Sequence, residues 1–529
     1  MPTHQHQTER AGDKISLWEA TSEAGALNPL REGVEADVCI VGAGIAGLSV
    51  AYRLVRDGQS VVVIDDGLVG RGMTGRTTAH LASAQDDGFY EIESRHGAEG
   101  ARFAGESHAA AIAQIEANVR EEGIDCGFER VDGYLFEPPD QGTKNLREEF
   151  EAAQRARMHV EWVERAPIAG FNTGPAIRYA NQGQFHPLHY LRGFAAAIER
   201  RGGRIYTGTR VVDVQETEDG VAKTEDGHTI RARHFVVASN TPINDRYVIH
   251  TKQAPYTTYA IGFRLERGAV PHALWWDMAE HAGEEDKAIG MIPYHYVRVS
   301  AGADGDEVLV VGGEDHKTGQ ADDFEQRYSR LEHWTRVRWP EAREVVYRWS
   351  GQVMEPEDYM AFIGRNPADK QNVYIATGDS GQGMTHGTIA GILIPDLIMG
   401  RENRWAKLYD PSRLSFKGAG DFLKENVNVA AQYRDWVTGG DVSHVNDIEH
   451  GCGAVVRRGL KKIAAYRDDS GVLHEMTAVC PHLKCIVHWN RNEKTWDCPC
   501  HGSRFDAMGH VLNGPSVADL APIDDQRAS

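Results

Sequence analysis

The chain has 529 residues, of which 41% are hydrophobic and 25% charged, with 57 basic against 77 acidic residues and a formal net charge of −20. A chain of this length is too long to fold around a single hydrophobic core, so we predict about three compact units. The composition is that of a folded globular protein rather than a disordered one. The acidic balance argues against nucleic-acid binding, and the longest apolar run, residues 38–52, is broken by glycines and is too short for a membrane span.

The start of the chain and its cysteines bear on where the protein works. Residues 1–13 are polar and histidine-rich, without the apolar segment or twin arginine of an export signal, so we expect a cytoplasmic protein. Four of the seven cysteines fall between residues 480 and 500, and the other three are scattered. In an intracellular protein, such clustering indicates metal or redox chemistry.

Predicted strands and helices alternate over the first 400 residues. A strand over 36–41, a helix over 48–56 and a strand over 60–65 form a β-turn-α-β unit. The later elements are helices over 190–201 and 324–339, strands over 204–214, 229–238, 257–265, 288–299, 308–311 and 373–376, and a helix that follows a glycine-rich turn, 377–387, and ends at 399. From residue 441 onward, short strands and frequent turns indicate a separate all-β unit.

The first unit contains a glycine pattern with a physical role in phosphate binding. Gly42, Gly44 and Gly47 form G-x-G-x-x-G between a predicted strand and a predicted helix. Gly42 permits the tight turn, Gly44 lets the backbone approach a pyrophosphate, and Gly47 lets the helix pack close to the strand. Asp65 closes the next strand and would accept hydrogen bonds from the adenosine ribose. The pattern predicts a dinucleotide site but does not distinguish NAD from FAD.

Residues 34–400 resemble the D-amino-acid-oxidase-like flavoproteins, which include glycine and sarcosine oxidases. Besides the glycine turn, the resemblance rests on the runs 70–79, 186–187, 209–211, 238–242 and 378–385. It implies a Rossmann-like α/β FAD-binding domain with an inserted sheet-rich α+β substrate domain. It also implies non-covalent FAD, since His80 does not lie where the family's linkage would align. The residues that it assigns to the cofactor are Gly42, Gly44, Ile45, Ala46, Gly47, Asp65, Arg76, Thr77, Thr78, Val211, Gly378, Gly381, Gly383 and Met384.

The same resemblance suggests which side chains face a substrate. The candidates are Tyr256, Tyr259, Tyr294, His295, Tyr296 and Arg298. Arg298 could hold a carboxylate through two hydrogen bonds, and ordinary sheet packing is the alternative for each of these residues. The family also has a helix N-terminus facing the flavin C2 carbonyl, where His386 could add positive charge.

One departure from the family concerns reaction with oxygen. Sarcosine-oxidase-like members carry a lysine near flavin N5, whereas the strand that we align with it, 308–311, has none. Lys317 is predicted in the loop after that strand. The departure argues against efficient oxidase chemistry.

The C-terminal unit carries two boxes of metal-binding residues. Cys480-Pro481-His482 is followed 15 residues later by Cys498-Pro499-Cys500-His501, so each box supplies one thiolate and one imidazole. In a Rieske [2Fe-2S] site, two thiolates hold one iron and two imidazoles the other. The rival is tetrahedral zinc, but zinc sites more often pair cysteine with cysteine and histidine with histidine.

This segment is similar to Rieske domains of the respiratory-complex type over about 85 residues. In that branch an extra cysteine in each box forms a disulfide, which implies a bond between Cys485 and Cys500. Residues 513–515 resemble the third loop over the cluster. Ser503 could donate a hydrogen bond to a bridging sulfide and raise the potential. Phe505 stands where respiratory members have a tyrosine, so we expect a lower potential than theirs.

Together the two sites predict an FAD-dependent dehydrogenase. The family resemblance alone implies that it oxidises a C–N bond of an amine or amino acid. The cluster would pass the electrons one at a time to an external protein or quinone. The alternatives are an NAD(P)H-linked reductase that serves a partner enzyme, a non-enzymatic redox sensor, and a Rieske oxygenase. A reductase would need a second nucleotide site, and we find no second strand-bounded G-x-G-x-x-G in the sequence. An oxygenase would need two histidines and a carboxylate, and the nearest set is His281 with Asp277 and Glu280.

We therefore predict four segments. These are an N-terminal lead-in over 1–30, an FAD-dependent oxidoreductase domain over 31–402, a connector over 403–440, and a Rieske domain over 441–529.

Overall fold

The computed structural model describes residues 12, 14–138, 142–215, 220–244, 249–278, 294–303, 305–367, 372–414, 428–429, 432–436 and 438–523. Within these ranges, none of the helices has both the length and the apolar character that crossing a bilayer requires. The α-helices, in chain order, are α1 (Leu17–Ala20), α2 (Ile45–Arg56), α3 (Gly88–Glu122, broken at Gly97), α4 (Lys144–Arg155), α5 (Pro187–Arg200), α6 (Phe324–Arg338), α7 (Gly383–Ile398) and α8 (Ala406–Tyr409).

The strands fall into two sets along the chain. The first set is β1 (Val34–Val41), β2 (Val61–Ile64), β3 (His80–Leu81), β4 (Glu129–Phe136), β5 (Val160–Val163), β6 (Ala176–Gln184), β7 (Arg204–Tyr206), β8 (Val211–Gln215), β9 (Val221–Thr224), β10 (Thr229–Val237), β11 (Gln253–Leu265), β12 (Leu274–Asp277), β13 (His295–Ala301), β14 (Glu307–Lys317), β15 (Val345–Pro356), β16 (Phe362–Arg365) and β17 (Val373–Thr377). The second set is β18 (Cys452–Arg458), β19 (Lys461–Arg467), β20 (Leu473–Thr477), β21 (His488–Asn490), β22 (Thr495–Asp497), β23 (Arg504–Asp506) and β24 (Val511–Asn513).

The first sheet is the core of the dinucleotide-type fold. Its order is β16-β17-β10-β1-β2-β7, and β1 runs parallel to both β10 and β2. The second half of β1 and all of β2 are buried on both faces, as expected for apolar parallel strands covered by helices. Helices α2 and α7 pack against each other beside this sheet.

The second sheet covers the first at one side and is mostly antiparallel. Its order is β15-β11-β14-β13-β12-β4-β6-β3, with β5 paired to β6. One face packs on α6 through a core that contains Tyr259, Trp275 and Trp339. The opposite face points toward the first sheet, so alternate residues of each strand have opposite surroundings.

The C-terminal part is all-β, with a three-stranded sheet, β18-β19-β20, and a four-stranded sheet, β21-β22-β23-β24. Its core includes Trp496, Phe505 and the four clustered cysteines. The predicted fold class, an α/β dinucleotide-binding domain with a sheet-rich insertion and an all-β C-terminal domain, is confirmed.

Several local predictions differ from the structure. Residues 14–30 do not form a separate lead-in, because Leu17 and Trp18 are fully buried in the main core and Leu30 is buried beside β1. At the other end, α8 also packs into this core, so residues 403–414 continue the first domain rather than the connector. The predicted strand over 204–214 is two strands, β7 and β8, separated by a turn.

Strand β14 is longer than predicted. It continues from Glu307 through Lys317, so Lys317 lies in the strand and pairs with Tyr256, not in the following loop. Helices α3 and α4 have no predicted counterpart. The inner face of α3 is rich in small residues, including Ala101, Ala104 and Ala111, which leave little apolar periodicity to detect.

Candidate functional site

A cavity of about 1000 Å³ lies between the two large sheets. Its wall has three parts: the loops around β1, β2 and β17, the inner face of the second sheet, and residues 511–514 with Ser516 and Val517 of the C-terminal domain. This volume is at the upper end of ordinary ligand pockets. Both domains therefore line the same cavity.

The glycine turn forms the end of this cavity where α2 begins. Gly42 has a φ of +111°, and a Cβ there would lie 2.3 Å from the Ala238 carbonyl oxygen. A Cβ on Gly47 would lie 1.9 Å from the Gly42 carbonyl oxygen. Gly44 and Ile45 line the cavity, so the free N–H groups of the α2 N-terminus face a place where an anion fits.

Asp65 lies beside this turn. One carboxylate oxygen accepts from Ala43 N–H at 2.6 Å and the other from Gly67 N–H at 2.8 Å. Burial raises the pKa of this carboxyl group. Asp65 therefore organises the turn and also lines the cavity.

Thirteen of the fourteen cofactor candidates line the cavity, and their contact with FAD stays a prediction. They are Gly42, Gly44, Ile45, Ala46, Asp65, Arg76, Thr77, Thr78, Val211, Gly378, Gly381, Gly383 and Met384. Gly47 packs beneath the turn instead. A dinucleotide fits the glycine turn, where any side chain would fill the space, the N-termini of α2 and α7, and the volume of the cavity.

The Arg76 guanidinium makes its polar contacts away from the cofactor cavity. Its Nη2 lies 2.6 Å from Glu493 Oε1 of the C-terminal domain, and both side chains are fully buried. Nη1 donates to the Lys14 carbonyl oxygen at 3.0 Å, and Nε donates to Ser350 O. Arg76 lines the cavity, but its charge is compensated across the domain interface.

His386 does not supply the positive charge suggested for it. Its Nδ1 lies 2.9 Å from Asp379 O, and its Nε2 lies 3.2 Å from His108 Nε2. Burial lowers the pKa of His386 to about 4, so the ring is neutral near pH 7. The N-terminus of α7 contributes its dipole without help from this histidine.

Some of the candidate substrate residues lie on the inner face of the second sheet and line the cavity, whereas others lie on the opposite face. Tyr256, Tyr294 and Tyr296 line the cavity. Tyr259 was expected there but belongs to the α6 core, 5.1 Å from the Tyr328 ring. His295 also faces α6, stacked 4.1 Å from Trp334. Strand alternation explains both corrections, because neighbouring residues point to opposite faces.

Arg298 is a third correction. It is 2% exposed and is not among the residues that line the cavity. Its Nη1 donates to the Ala79 and Phe185 carbonyl oxygens, and its guanidinium lies over the Trp18 ring. Burial lowers its pKa to about 9. Arg298 therefore ties two backbone segments to β13 and does not reach the cavity where a substrate carboxylate would lie.

Carboxyl groups that the sequence analysis did not single out also line the cavity. They include Asp86, Asp87, Asp315, Glu355 and Asp379. Burial raises the pKa of Asp315 to about 6, and a hydrogen bond with Thr258 partly offsets this. Asp379 lies inside the quoted 378–385 motif, and alternation along β14 could have pointed to Asp315.

The cations of the cavity are compensated elsewhere. Among the described lining residues, the positively charged side chains are Arg71, Arg76 and Arg210. Arg71 lies 3.5 Å from Glu19, and Arg210 lies 3.1 Å from Asp519 and 3.6 Å from Asp66. Carboxyl groups therefore outnumber uncompensated cations among the described lining residues, but burial raises the pKa of Asp86 to about 8 and that of Asp87 to about 7, which keeps much of this acidity protonated near pH 7.

The C-terminal domain brings the four predicted cluster ligands together. Cys480 and Cys498 share a hydrogen bond, which lowers the pKa of Cys480. The His482 and His501 rings lie 5.1 Å apart, edge to face. Nδ1 of His501 is buried and has no hydrogen-bond partner in the described part of the chain.

Two thiols beside two imidazoles, one with an orphaned buried nitrogen, fit a [2Fe-2S] cluster. The sulfur pair is surrounded by groups that would support such a cluster. A backbone N–H of His482 and the Ser503 hydroxyl hydrogen-bond to Cys480. Cys485 and Cys500 form the implied disulfide. The roles of the four ligands and of Ser503 stay predictions. His281 and Glu280, named for a mononuclear iron, lie outside the described residues.

Comparison with known proteins agrees with both sites. The family model DAO, FAD dependent oxidoreductase, matches residues 37–397, and the Rieske [2Fe-2S] domain model matches residues 438–524. The Rieske 2Fe-2S iron-sulfur protein YhfW of Bacillus subtilis is 30% identical over 98% of this chain and 99% of its own length.

Two further relatives match the first domain. Gamma-glutamylputrescine oxidoreductase of Escherichia coli is 26% identical over 74% of this chain and 90% of its own. The crystal structure of glycine oxidase from Geobacillus kaustophilus covers 72% of this chain and 99% of its own, with a TM-score of 0.59 and 18% identity. The last match shows a shared fold.

Proposed function

Because the chain belongs to the FAD dependent oxidoreductase family and carries a Rieske [2Fe-2S] domain, we propose that it is an amine dehydrogenase. It oxidises a C–N bond of an amine or amino acid and delivers the electrons to an external protein or quinone. When bound, FAD supplies two-electron oxidation and the cluster supplies one-electron transfer. The ligand set Cys480, His482, Cys498 and His501 and the start of the Rieske domain near residue 441 are part of this proposal.

One observation carries the proposal: a single cavity has walls from both domains. Asn513 and Gly514 of the Rieske part line the same space as the glycine turn and the second sheet. A substrate oxidised in that space would therefore react next to the domain that accepts the electrons. A redox sensor has no need of a cavity with room for a substrate beside its cofactor.

Within the amine and amino-acid class, the cavity favours cationic amines. Asp315 can attract an ammonium group through its charge, and Tyr294 and Tyr296 can do so through their ring faces. An amino-acid carboxylate would require a free cation, and the described lining arginines are each paired with a carboxylate. The E. coli relative is named for an amine derived from putrescine, which agrees with this preference.

The chain's own residues bind and orient the substrate in this proposal. Asp315 receives the distal ammonium group, while the Tyr296 hydroxyl, 2.5 Å from Thr258 Oγ1, presents a fixed polar edge. Trp276 and Tyr294 close the cavity against water. The reacting nitrogen is neutral when oxidised, so its lone pair can assist release of hydride from the adjacent carbon.

The test is anaerobic reduction of the purified holoprotein by a panel of compounds. The panel contains diamines, N-methyl amino acids, amino acids, NADH and NADPH, and the readouts are flavin absorbance and low-temperature EPR of the reduced cluster. We expect diamines to bleach the flavin before the cluster signal grows. Reduction by NADH or NADPH alone would support the reductase alternative, and reduction by dithionite alone would support the sensor.

A matched variant makes the substrate assignment sharper. Asp315→Asn removes the charge but keeps the shape, and we expect it to raise the KM for diamines with a smaller change in kcat. Asp306→Asn is the control, since Asp306 lies on the surface and pairs with Arg264 away from the cavity. Equal behaviour of the two variants would contradict the role of Asp315.

A further inference from the structure

The wall between the cofactor cavity and the cluster loops is one residue thick at Ala254. This residue lines the large cavity and also a gap of about 10 Å³ beside Pro499 and Cys500. Gln352 of β15 also spans the wall. It lines the large cavity, is 3% exposed, and its Nε2 donates to the Gly502 carbonyl oxygen at 2.9 Å. Gly502 directly follows the predicted ligand His501.

The two predicted imidazole ligands face the flavin-binding domain. His250, which is 3% exposed, precedes β11 and belongs to that domain. Its ring lies 5.1 Å from the His482 ring and 6.0 Å from the His501 ring, edge-on to both. Nε2 of His482 and Nδ1 of His501 are both buried atoms. The histidine side of the cluster site is therefore covered by the first domain.

Contacts around this point hold the domains in one position. The buried Arg76–Glu493 pair lies on one side. Gln320 Nε2 donates to the Pro499 carbonyl oxygen at 3.2 Å, and Arg210 reaches Asp519 on the cavity side. Undocking would have to break these buried contacts together, so repeated undocking during turnover is unfavourable.

We propose that His250 and Gln352 are positioning residues that hold the histidine side of the cluster at the cavity wall, so that electrons cross there directly without domain movement. This inference rests on the proposed direction of electron flow, from the flavin to the cluster. In each crossing, one electron leaves the reduced flavin and one ferric ion of the cluster becomes ferrous. The external acceptor must then contact the cluster from a side other than its histidine edge.

The fixed position makes a kinetic prediction that needs no amine. In the holoprotein, the flavin is reduced by a light pulse with a photochemical donor, and cluster reduction is followed by absorbance. We expect a first-order transfer whose rate is independent of protein concentration and of added viscogen. A rate that falls in proportion to solvent viscosity would overturn the proposal, because it would show a required domain movement.

Variants test the two residues separately. Gln352→Met keeps the size but removes the donor to Gly502, and His250→Ala removes the ring against the imidazoles. We expect each to slow the transfer about tenfold, as small displacements of reacting groups do. His474→Gln is the control, since His474 lies on β20 and pairs with Asp468.

A spectroscopic readout separates positioning from general destabilisation. The EPR g-values of the dithionite-reduced cluster should shift in His250→Ala and stay unchanged in His474→Gln. Unchanged rates and g-values in both His250→Ala and Gln352→Met would overturn the proposal. Failure of every amine to reduce the flavin would instead remove the proposed substrate and leave the photochemical result standing.

Discussion

Arg76 and Glu493 form an ion pair with 2.6 Å between Nη2 and Oε1, and neither side chain is exposed. Arg76 ends the loop that follows β2, while Glu493 lies in the turn between β21 and β22. Glu493 also accepts from the backbone N–H and the hydroxyl of Ser350. The pair joins the loop that follows β2 to the Rieske domain in a fully buried region.

Glu493→Ala should therefore be strongly destabilising. The variant leaves the Arg76 charge buried and uncompensated, which costs about 3–5 kcal/mol. Differential scanning calorimetry of the holoprotein measures the change. Glu475→Ala is the matched control, because the Arg458–Glu475 pair of the same domain is partly exposed and contributes less than about 1 kcal/mol. Equal unfolding temperatures for the two variants would contradict the importance of the buried pair.

The disulfide should add stability to the Rieske domain. Cys485 and Cys500 are separated by 15 residues, and closing a loop of this length stabilises a protein by about 3 kcal/mol in the chain-entropy model. The double variant Cys485→Ala/Cys500→Ala should unfold at lower urea concentration than the oxidised wild type. Wild-type protein treated with reductant provides the comparison, and it should shift in the same direction. No shift in either sample would refute the prediction.

Removing one predicted ligand should separate the two cofactors. Cys498→Ser should lose the EPR signal of the cluster and its iron content while retaining FAD absorbance, because Cys498 is buried in the C-terminal core. Cys452→Ser changes a cysteine on β18, outside the ligand group, and should retain both. Zinc in place of iron in the wild-type protein would refute the cluster assignment itself.

Binding of a cationic amine should weaken at low pH. Burial raises the pKa of Asp315 to about 6, so the carboxylate is charged above this value and becomes neutral as the pH falls through it. A bis-quaternary diamine does not titrate, so the pH dependence of its binding reports on the protein alone. Its affinity, measured by calorimetry, should fall about fivefold between pH 6 and pH 5. Asp315→Asn should bind weakly at both pH values, and an unchanged profile in this variant would exclude Asp315 as the titrating group.

His295 should make stability depend on pH in the opposite range. Burial alone would lower its pKa, but the Asp277 carboxylate, 2.9 Å away, and Glu314 raise it to about 9. A histidine whose folded pKa exceeds the unfolded value of 6.5 stabilises the fold fully below pH 6.5, and this contribution disappears as the pH rises through 9. The amount is on the order of 3 kcal/mol.

Thermal unfolding between pH 6 and pH 9.5 measures this effect. His295→Gln should be less stable than wild type at pH 6 and should lose less stability as the pH rises. His488→Gln, which affects a partly exposed pair with Asp435, is the control and should keep the wild-type slope. A wild-type slope in His295→Gln would show that another group titrates.

Sequence patterns identify the parts of the molecule where a function requires particular residue types at a fixed spacing. The glycine turn, Asp65 and the two cysteine–histidine boxes were recognised because spacing alone restricts what they can do. Sequence spacing does not show in the same way which face of a sheet each side chain points to. The family resemblance suggests Tyr259 and Arg298 as substrate residues. In the structure, Tyr259 packs toward α6 and Arg298 donates hydrogen bonds to backbone carbonyl oxygens.

Long-range relationships explain the other omissions. Asp315 becomes a cavity residue because β14 continues beyond the apolar run 308–311, which was all that composition revealed. The contact between His250 and His482 joins positions 232 residues apart. Such contacts depend on how the domains pack, and a single sequence does not encode them in a local pattern.

The backbone of Lys14 touches both members of the central ion pair. Its N–H donates to Glu493 at 3.1 Å, and its carbonyl oxygen accepts from Arg76 at 3.0 Å. The backbone near the beginning of the chain therefore lies between the first domain and the Rieske domain and contacts both. For protein engineering, this means that neither domain can be exchanged without changing the interface of the other. A Rieske domain produced alone would carry the Glu493 carboxylate without its partner, and the first domain produced alone would carry the Arg76 guanidinium without its partner.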